Sequence, residues 1–275
     1  MIMLKRMPLK QICVLISLTI VLFSACVRER DTDTIMAGDV AMHEFLFHDA
    51  ADLADDAATK NTGDNLSNYK TRGYCAVLTH DTNSNPRTIV IDFGAANCMC
   101  NDGRTRQGKI MVSYTGRYAD SGSIHTITFD NYFVNNYHVM GSNVVENKGL
   151  NASSKPYFNS AIDGKVMKPG VADTLYYQAN KTITWTEGST TPIWGDDIYE
   201  ITGNGSGQNE FKTYYAMTIT QPLIKEVLGC RFINKGRIEM QPQGKALRTI
   251  DFGNGKCDND ATVTINNKVF NIKLN

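Results

Sequence analysis

The spacing of apolar side chains changes once along the chain, near residue 68. Before that point the apolar residues recur with the 3.6-residue period of a helix. They lie at intervals of 7, 4, 4, 3 and 4 and are Ile35, Met42, Leu46, Ala50, Leu53 and Ala57. Every charged residue between Asp31 and Thr59 is acidic. The pattern predicts one amphipathic helix with an acidic face toward solvent. His43 and His48 are five residues apart, a spacing that does not form a metal-binding pair on a helix, and we expect them to be solvent-facing or half-buried.

From Tyr69 onward the apolar residues alternate with polar ones, as in Ile110, Val112 and Tyr114, which predicts β-strands. Turn-forming residues separate these runs. They include Thr115-Gly116, Asp120-Ser121-Gly122, Gly141-Ser142-Asn143, Gly188-Ser189, Gly203-Asn204-Gly205-Ser206-Gly207 and Lys235-Gly236. Without a repeated helical crossover, the strands should be antiparallel. The expected fold class is therefore mainly β, with one or more antiparallel sheets in a meander or sandwich-like arrangement and one N-terminal helix.

Two local patterns give finer expectations. Pro222 at a first-turn position and Gly229 at the end predict a short helix between them. Asn266-Asn267 predicts a two-residue hairpin turn that places Val263 opposite Phe270 and Ala261 opposite Ile272. The last strand should then be paired, and deleting residues 266–275 should destabilise the fold.

One motif occurs twice and suggests a duplicated unit. Arg87-Thr88-Ile89-Val90-Ile91-Asp92-Phe93-Gly94 and Arg248-Thr249-Ile250-Asp251-Phe252-Gly253 each lead to a cysteine six residues after the aspartate. The repeats would span about residues 73–118 and 228–275, within a β region of residues 69–275. Asp-Phe-Gly also occurs in protein kinases, but the other kinase motifs are missing from this chain. A strand ending in a glycine-permitted turn explains the motif better.

The duplication also indicates how the cysteines pair. Cys75 and Cys230 lie before the two motifs, and Cys98 and Cys257 lie after them, which favours the disulfides Cys75–Cys98 and Cys230–Cys257. Each would contribute on the order of 3 kcal/mol in the chain-entropy model. Cys100 is left over, and it could instead pair with Cys75, stay free or form an intermolecular bond. A zinc site from Cys75, His80, Cys98 and Cys100 is the alternative, and the second motif, which has no matching ligands, argues against it.

The N-terminus has the features of an export signal. Lys5, Arg6 and Lys10 precede an apolar run from Ile12 to Phe23, and small residues follow. Leu22-Phe23-Ser24-Ala25-Cys26 resembles the lipobox of bacterial lipoproteins, which implies cleavage after residue 25 and lipidation of Cys26. An uncleaved anchor helix and an ordinary secretory signal are the alternatives. Residues 26–68 would then be a tether with the acidic helix. The polar stretch at residues 61–70 is predicted to be a linker, with the domain boundary inside it near residue 68. Export would place the cysteines where disulfides persist.

Charge excludes one class of partner. The chain has 28 Lys and Arg against 28 Asp and Glu, and loss of Lys5, Arg6 and Lys10 with the signal leaves 25 against 28. A mildly acidic chain without a basic patch is not expected to bind nucleic acid. No sequence motif calls for a cofactor or a metal, so none is expected.

Candidate binding and catalytic residues lie in the β region. Seven aromatic residues fall in one span of about forty residues: Tyr176, Tyr177, Trp185, Trp194, Tyr199, Tyr214 and Tyr215. They could form an exposed platform for a sugar or a protein partner, or they could be cross-strand pairs that stabilise the sheet. Four carboxylates could supply a glycosidase pair, Asp196, Asp197, Glu200 and Glu239, but sequence does not fix their separation.

Taken together, the lipobox, the acidic helix and the paired Asp-Phe-Gly…Cys units resemble Bacteroidetes lipoproteins of uncharacterised function. The resemblance covers most of the chain after the signal, and Cys100 departs from the pattern of the second unit. It implies an envelope location, at the outer membrane facing the periplasm or the cell surface, and no particular activity. We expect a lipid-anchored, non-enzymatic binding or adhesion protein. An envelope enzyme acting on glycan or peptide and a structural subunit of a surface assembly are the alternatives.

Overall fold

The computed structural model describes residues 31–59, 75–191, 194–227, 230 and 232–274. The signal, Cys26, the linker at residues 61–70 and the boundary near residue 68 lie outside this part of the chain. The described residues from Asp33 onward form one compact unit. Helix α1 spans Ile35–Thr59, and its start is fixed by Asp33, whose side chain accepts a hydrogen bond from the Ile35 amide at 2.9 Å.

The rest of the described chain is mostly strand, as the alternating pattern predicts. The first seven strands are β1 (Val77–Asp81), β2 (Arg87–Asp92), β3 (Cys98–Met99), β4 (Thr105–Tyr114), β5 (Ile124–Val134), β6 (Tyr137–Leu150) and β7 (Pro156–Met167). The next seven are β8 (Thr174–Glu187), β9 (Ile198–Gln208), β10 (Tyr214–Glu226), β11 (Lys235–Pro242), β12 (Arg248–Asn254), β13 (Asp260–Ile265) and β14 (Lys268–Lys273). A single 3-10 turn at Trp194–Asp196 precedes β9.

All fourteen strands belong to one open antiparallel sheet. Its order follows the chain from β1 to β14, except that the short β3 pairs only with β4 and β2 pairs directly with β4. The edges are therefore β1 and β14. On the long strands β7 and β8, buried and exposed residues alternate regularly, so the sheet has one covered inner face and one outer face.

The helix lies against the inner face and is covered on all sides. Asp39, Glu44 and Asp49 follow one another at intervals of five residues, so their side chains leave the helix about 140° apart. All three are buried, and from Met36 to Ala58 every residue of the helix is buried or half-buried. A flat sheet touches only one side of a helix, so this sheet must curve around α1.

Ion pairs join the helix to residues that lie in, or directly next to, strands far apart in the sheet. The shortest are Lys181 to Glu44 at 2.6 Å, Arg106 to Asp49 at 2.8 Å, Arg104 to Asp49 at 2.9 Å and Lys168 to Asp39 at 3.1 Å. Lys225 on β10 lies 3.6 Å from Asp52. Because Asp49 contacts β4 and Asp52 contacts β10, six strand spacings away in the sheet, the pairs also require a curved sheet.

Two expectations about the helix are wrong for this reason. Its acidic residues are buried or half-buried instead of facing solvent, and four of them, Asp39, Glu44, Asp49 and Asp52, pair with Lys or Arg side chains. His43 and His48 are buried rather than solvent-facing, and the His43 ring stacks on Tyr177 with centroids 4.9 Å apart. Burial lowers the pKa of His43 to about 4, so this ring is neutral at physiological pH.

Several segments predicted as turns or as a helix are strands in the structure. Among them, the predicted turn Lys235-Gly236 forms the start of β11. Pro222 does not begin a helix, because β10 continues to Glu226 and accommodates the proline where its register with β9 and β11 shifts. Gly141-Ser142-Asn143 lies within β6, and Gly203-Asn204-Gly205-Ser206-Gly207 lies within β9. A Cβ at Gly207 would lie 2.5 Å from the Tyr215 hydroxyl, so on β9 glycine leaves room for side chains of the neighbouring strand.

The two Asp-Phe-Gly motifs share a bend at the glycine that the aspartate caps, but they lie at different places in their strands. Gly94 follows the end of β2, whereas Gly253 lies within β12, where its pairing with β11 shifts register. In each, an aspartate side chain accepts a hydrogen bond from the glycine amide, at 2.8 Å for Asp92 and 2.9 Å for Asp251. Both glycines have positive φ, and both phenylalanines are buried. The expected strand-ending turn is therefore present at the first motif, and the second triplet is part of β12.

The predicted C-terminal hairpin is confirmed. Val263 is paired with Phe270 and Ala261 with Ile272, and both turn residues, Asn266 and Asn267, have positive φ.

Within the described residues, no helix has the length and apolar character needed to cross a membrane.

Candidate functional site

The outer face of the sheet carries a polar groove of about 380 Å³ across β6, β7, β8 and β9. Its floor consists of small side chains and side-chain amides that lie opposite one another on neighbouring strands. Asn159 on β7 is opposite Thr182 on β8, and Asn180 on β8 is opposite Ala161 and Asn204. Because these strands are central in the sheet, the spacing of the amides is set by the backbone ladder rather than by flexible loops.

Two glycines of β9 help to shape this part of the sheet. A Cβ at Gly203 would lie 2.2 Å from the carbonyl oxygen of Asn180, and a Cβ at Gly205 would lie 2.6 Å from that of Gln178. Larger residues would push β9 away from β8. The glycine-rich stretch therefore holds Asn204 close to Asn180 on the outer face.

The groove offers hydrogen-bonding groups that are not used internally. Among the described residues, the side-chain amides of Asn159, Asn180 and Asn204 have no protein hydrogen-bond partner. Each amide can donate two hydrogen bonds and accept two, and the Thr182 hydroxyl can do both. The one carboxylate, Glu146, is paired with Lys148 at 2.9 Å. The groove is therefore suited to a neutral ligand rich in hydroxyl or amide groups.

Two tyrosines extend the same face. Tyr176 on β8 and Tyr214 on β10 are both exposed and are both paired with Gln208 on β9, so they lie about 10 Å apart, on either side of one strand. Tyr176 is four residues from Asn180 along β8, or about 13 Å. The ammonium groups of Lys165 and Lys212 each lie 5.7 Å from the centre of the Tyr176 ring.

The predicted seven-residue aromatic platform is not present as one surface, because the residues lie on both faces of the sheet. Tyr177, Tyr199 and Tyr215 are buried on the inner face. Trp185 is half-buried and donates a hydrogen bond to Asp197 at 3.1 Å, and the Trp194 side chain lies outside the described part. Adjacent residues of a strand point to opposite faces, so Tyr176-Tyr177 and Tyr214-Tyr215 could not share one surface.

A second concave site lies beside the C-terminal half of α1. It is lined by His48, Asp52, Asp55, Tyr118, Tyr199 and Lys225 among others, and its free volume is about 30 Å³. Burial raises the pKa of the Asp55 carboxyl well above its usual value, and the charges of Asp52 and Asp197 raise it further. The cavity has room for water but not for a sugar ring. Its chemistry is that of an acid cluster, and its size excludes a polymeric ligand.

The four candidate glycosidase carboxylates do not converge. Asp197 is buried, and burial raises its pKa to about 6, whereas Glu200 and Glu239 are exposed on other strands. Asp196 is exposed in the 3-10 turn, where both its carboxylate oxygens accept from the Thr191 hydroxyl at 2.9 Å. Asp196 and Asp197 do lie near each other, because a Cβ at Gly188 would be 2.8 Å from one Oδ1 and 2.2 Å from the other. Of these two only Asp196 is exposed, so they do not both face a substrate position.

Both predicted disulfides are present. Cys75 is bonded to Cys98 and Cys230 to Cys257, while Cys100 is a buried free thiol. His80 is hydrogen-bonded to the Tyr114 hydroxyl and is not part of the sulfur cluster. The alternative zinc site therefore lacks its histidine, and two of its cysteines are already oxidised.

Sequence reasoning missed the inner cations and the groove amides, although a signal for the cations exists. Lys181 occupies the same face of β8 as Tyr177, Ala179 and Ile183, all buried, so the alternation itself places this lysine inside.

Comparison with protein-family models, curated proteins and solved structures gave no match.

Proposed function

We propose that this protein is a lipid-anchored envelope protein that binds a neutral glycan in the groove formed by β6–β9. The observation that carries the proposal is the set of exposed amides with unused hydrogen-bonding capacity, Asn159, Asn180 and Asn204, held in register on a sheet. Sugars present many hydroxyl groups, which amides and hydroxyls recognise by donating and accepting hydrogen bonds. Tyr176 and Tyr214 would add ring surfaces for stacking at the end of the same face.

Binding without turnover is favoured over catalysis at this groove. Its one carboxylate, Glu146, is paired with Lys148, and glycoside hydrolysis requires two carboxyl groups that flank the scissile bond. The two charged residues of the lining, Glu146 and Lys181, are each paired with an opposite charge, which favours a neutral polymer over a charged one.

The anchoring part of the proposal rests on sequence. Cleavage after Ala25 would leave Cys26 as the lipidated residue, and several acyl chains would hold the protein stably at a membrane. The proposed location is the bacterial outer membrane, facing the periplasm or the cell surface. Between Cys26 and the start of α1 at Ile35 lie only eight residues, so the sheet would be held close to the bilayer.

The test is a binding panel of soluble neutral glycans against the purified protein, with turnover followed in the same samples. The matched variants are Asn159→Ala/Asn180→Ala in the groove and Gln221→Ala, an exposed amide on β10 outside it. We expect saturable binding without products, weakened about thirtyfold in the groove variant, because two hydrogen bonds of about 1 kcal/mol each are lost. Absence of binding across the panel, or equal weakening by Gln221→Ala, would contradict the proposal.

The cleft beside α1 supports a second candidate, an envelope hydrolase acting on glycan or peptide. A carboxyl group with a raised pKa, Asp55, next to Asp52 and two tyrosines is a typical acid–base arrangement. Its volume requires the cleft to open before a substrate enters. This candidate would be favoured if the wild-type protein forms product, if Asp55→Asn abolishes that activity and if Asn159→Ala does not.

A role as a structural subunit would instead depend on pairing through the edge strands β1 and β14.

A further inference from the structure

Three sulfur atoms meet at the edge of the sheet near β3. The Sγ atoms of Cys75, Cys98 and Cys100 all lie within 4.8 Å of one another. Cys75 and Cys98 are bonded, and the free Cys100 Sγ lies 3.4 Å from the Cys75 Sγ, in direct contact. A thiol in contact with a disulfide has the arrangement from which thiol–disulfide exchange starts.

We propose that this cluster is a thiol–disulfide exchange site in which Cys75 alternates between Cys98 and Cys100. The Cys100 thiolate attacks the Cys75 sulfur, the Cys75–Cys98 bond breaks as the Cys75–Cys100 bond forms, and Cys98 leaves as a thiolate that takes up a proton. One disulfide and one thiol are present before and after the step, so no oxidant or reductant is consumed.

The two forms differ in which thiol can be modified. Cys100 is buried, whereas Cys98 is partly exposed and is followed by the exposed Met99. Exchange therefore converts a protected thiol into an accessible one at the edge of the sheet. In the exchanged form, Cys98 is the position open to alkylation, to oxidation or to a mixed disulfide with an external thiol compound.

Charged groups around Cys100 set how fast the exchange runs. Burial raises the pKa of Cys100, while the nearby Arg106 guanidinium opposes that rise, and the carboxylates of Asp102 and Asp49 add to it. Tyr132 also faces the thiol and is buried. Because the thiolate is the attacking species and the pKa lies above neutrality, the exchange rate should rise about tenfold for each pH unit between 7 and 8.

The second disulfide provides a control within the same chain. Cys230 and Cys257 are bonded to each other, and they do not belong to the cluster of three sulfur atoms found among the described residues. They should neither exchange nor become labelled under conditions where the first cluster does.

The test labels the native, purified protein with N-ethylmaleimide at pH 7 and 8, quenches it in acid and maps the peptides without reduction. The expected product carries the label on Cys98 together with a Cys75–Cys100 bond, accumulates about tenfold faster at pH 8, and is absent from the variant Cys100→Ser. Label found only on Cys100, label on neither cysteine, or equal scrambling of Cys230–Cys257 would each overturn the proposal.

A second variant tests the geometry separately. Cys98→Ser should form the Cys75–Cys100 disulfide in a protein with an unchanged circular dichroism spectrum. Two free thiols in this folded variant would show that Cys100 cannot reach a bonding position, and would also overturn the proposal.

Discussion

The pair formed by Glu44 of α1 and Lys181 of β8 should be the most sensitive link between helix and sheet. The two groups are 2.6 Å apart, and both side chains are fully buried. Glu44 also accepts a hydrogen bond from the Tyr177 hydroxyl. Although burial alone would raise the pKa of Glu44, the charge of Lys181 and the contact with His48 hold it well below its usual range. The carboxylate is therefore charged in the folded protein and depends on its partner.

Removing one partner leaves a buried, uncompensated charge. Lys181→Met should therefore lower the free energy of unfolding by about 3–5 kcal/mol, a large part of the roughly 5–15 kcal/mol available to a typical domain. Glu44→Gln should cost a similar amount, because it leaves Lys181 unpaired. The double variant Glu44→Gln/Lys181→Met removes both charges and should cost less than either single change, since the introduced amide oxygen would still accept a hydrogen bond from Tyr177.

The assay is urea unfolding followed by tryptophan fluorescence and circular dichroism at pH 7. Arg117→Met is the matched control, since Arg117 pairs with Asp120 at the surface with its side chain 83% exposed, and its loss should cost under about 1 kcal/mol. If Lys181→Met costs no more than the control, or if the two single changes simply add in the double variant, the charge-based account of helix docking is wrong.

Three further predictions test the same architecture. Burial lowers the pKa of His43 to about 4, so protonation of this side chain in the unfolded chain should lower the free energy of unfolding by on the order of 3 kcal/mol as the pH falls from about 6.5 to 4. Stability-versus-pH curves for His43→Leu should lack this loss. Gly164→Ala would place a Cβ 2.2 Å from the Phe47 ring and should lower the free energy of unfolding, measured in urea, by about 1–3 kcal/mol. Adding Phe47→Leu should restore part of this loss. Wild-type stability of Gly164→Ala would contradict the packing of the helix on β7. Deleting residues 266–275 removes β14 and uncovers Val263, so an unchanged Tm would refute its pairing.

Local sequence signals were enough to predict the elements that depend on nearby residues. The two disulfides follow from the repeated motif, and the final hairpin follows from Asn266-Asn267 and the alternation around it. The bend at each Asp-Phe-Gly motif follows from a glycine that can take positive φ and an aspartate that can cap it. The bends and the hairpin depend on residues that lie close in sequence, and the two disulfides join cysteines 23 and 27 residues apart.

The burial of the helix could not be predicted from the helix itself, because an acidic face has the same pattern whether it meets water or cations. The partners of Asp39, Glu44 and Asp49 are 55 to 137 residues away in sequence. The missing signal lies in the strands, where Lys181 and Arg106 occupy inward positions of the alternation. An inward-facing cation requires a buried anion, and the acidic helix is the segment of the chain that supplies it.

The groove was missed for a different reason. Its glycine-rich strand has the composition of a turn, and only the packing of Tyr215 and Met217 beneath Gly207 and Gly205 shows why glycine is required within β9. The amides on β7 and β8 are ordinary residues of an exposed strand face. Their convergence depends on a strand register that alternation alone does not specify for the middle of a large sheet.

The proposal that this face binds glycan is tested most directly by a crystal structure of the protein with the tightest-binding neutral oligosaccharide of the panel. We predict sugar density in the groove of β6–β9, with hydroxyl groups within hydrogen-bonding distance of the Asn159 and Asn180 amides. Sugar bound in the cleft beside α1, or at any site away from these amides, would contradict the proposal.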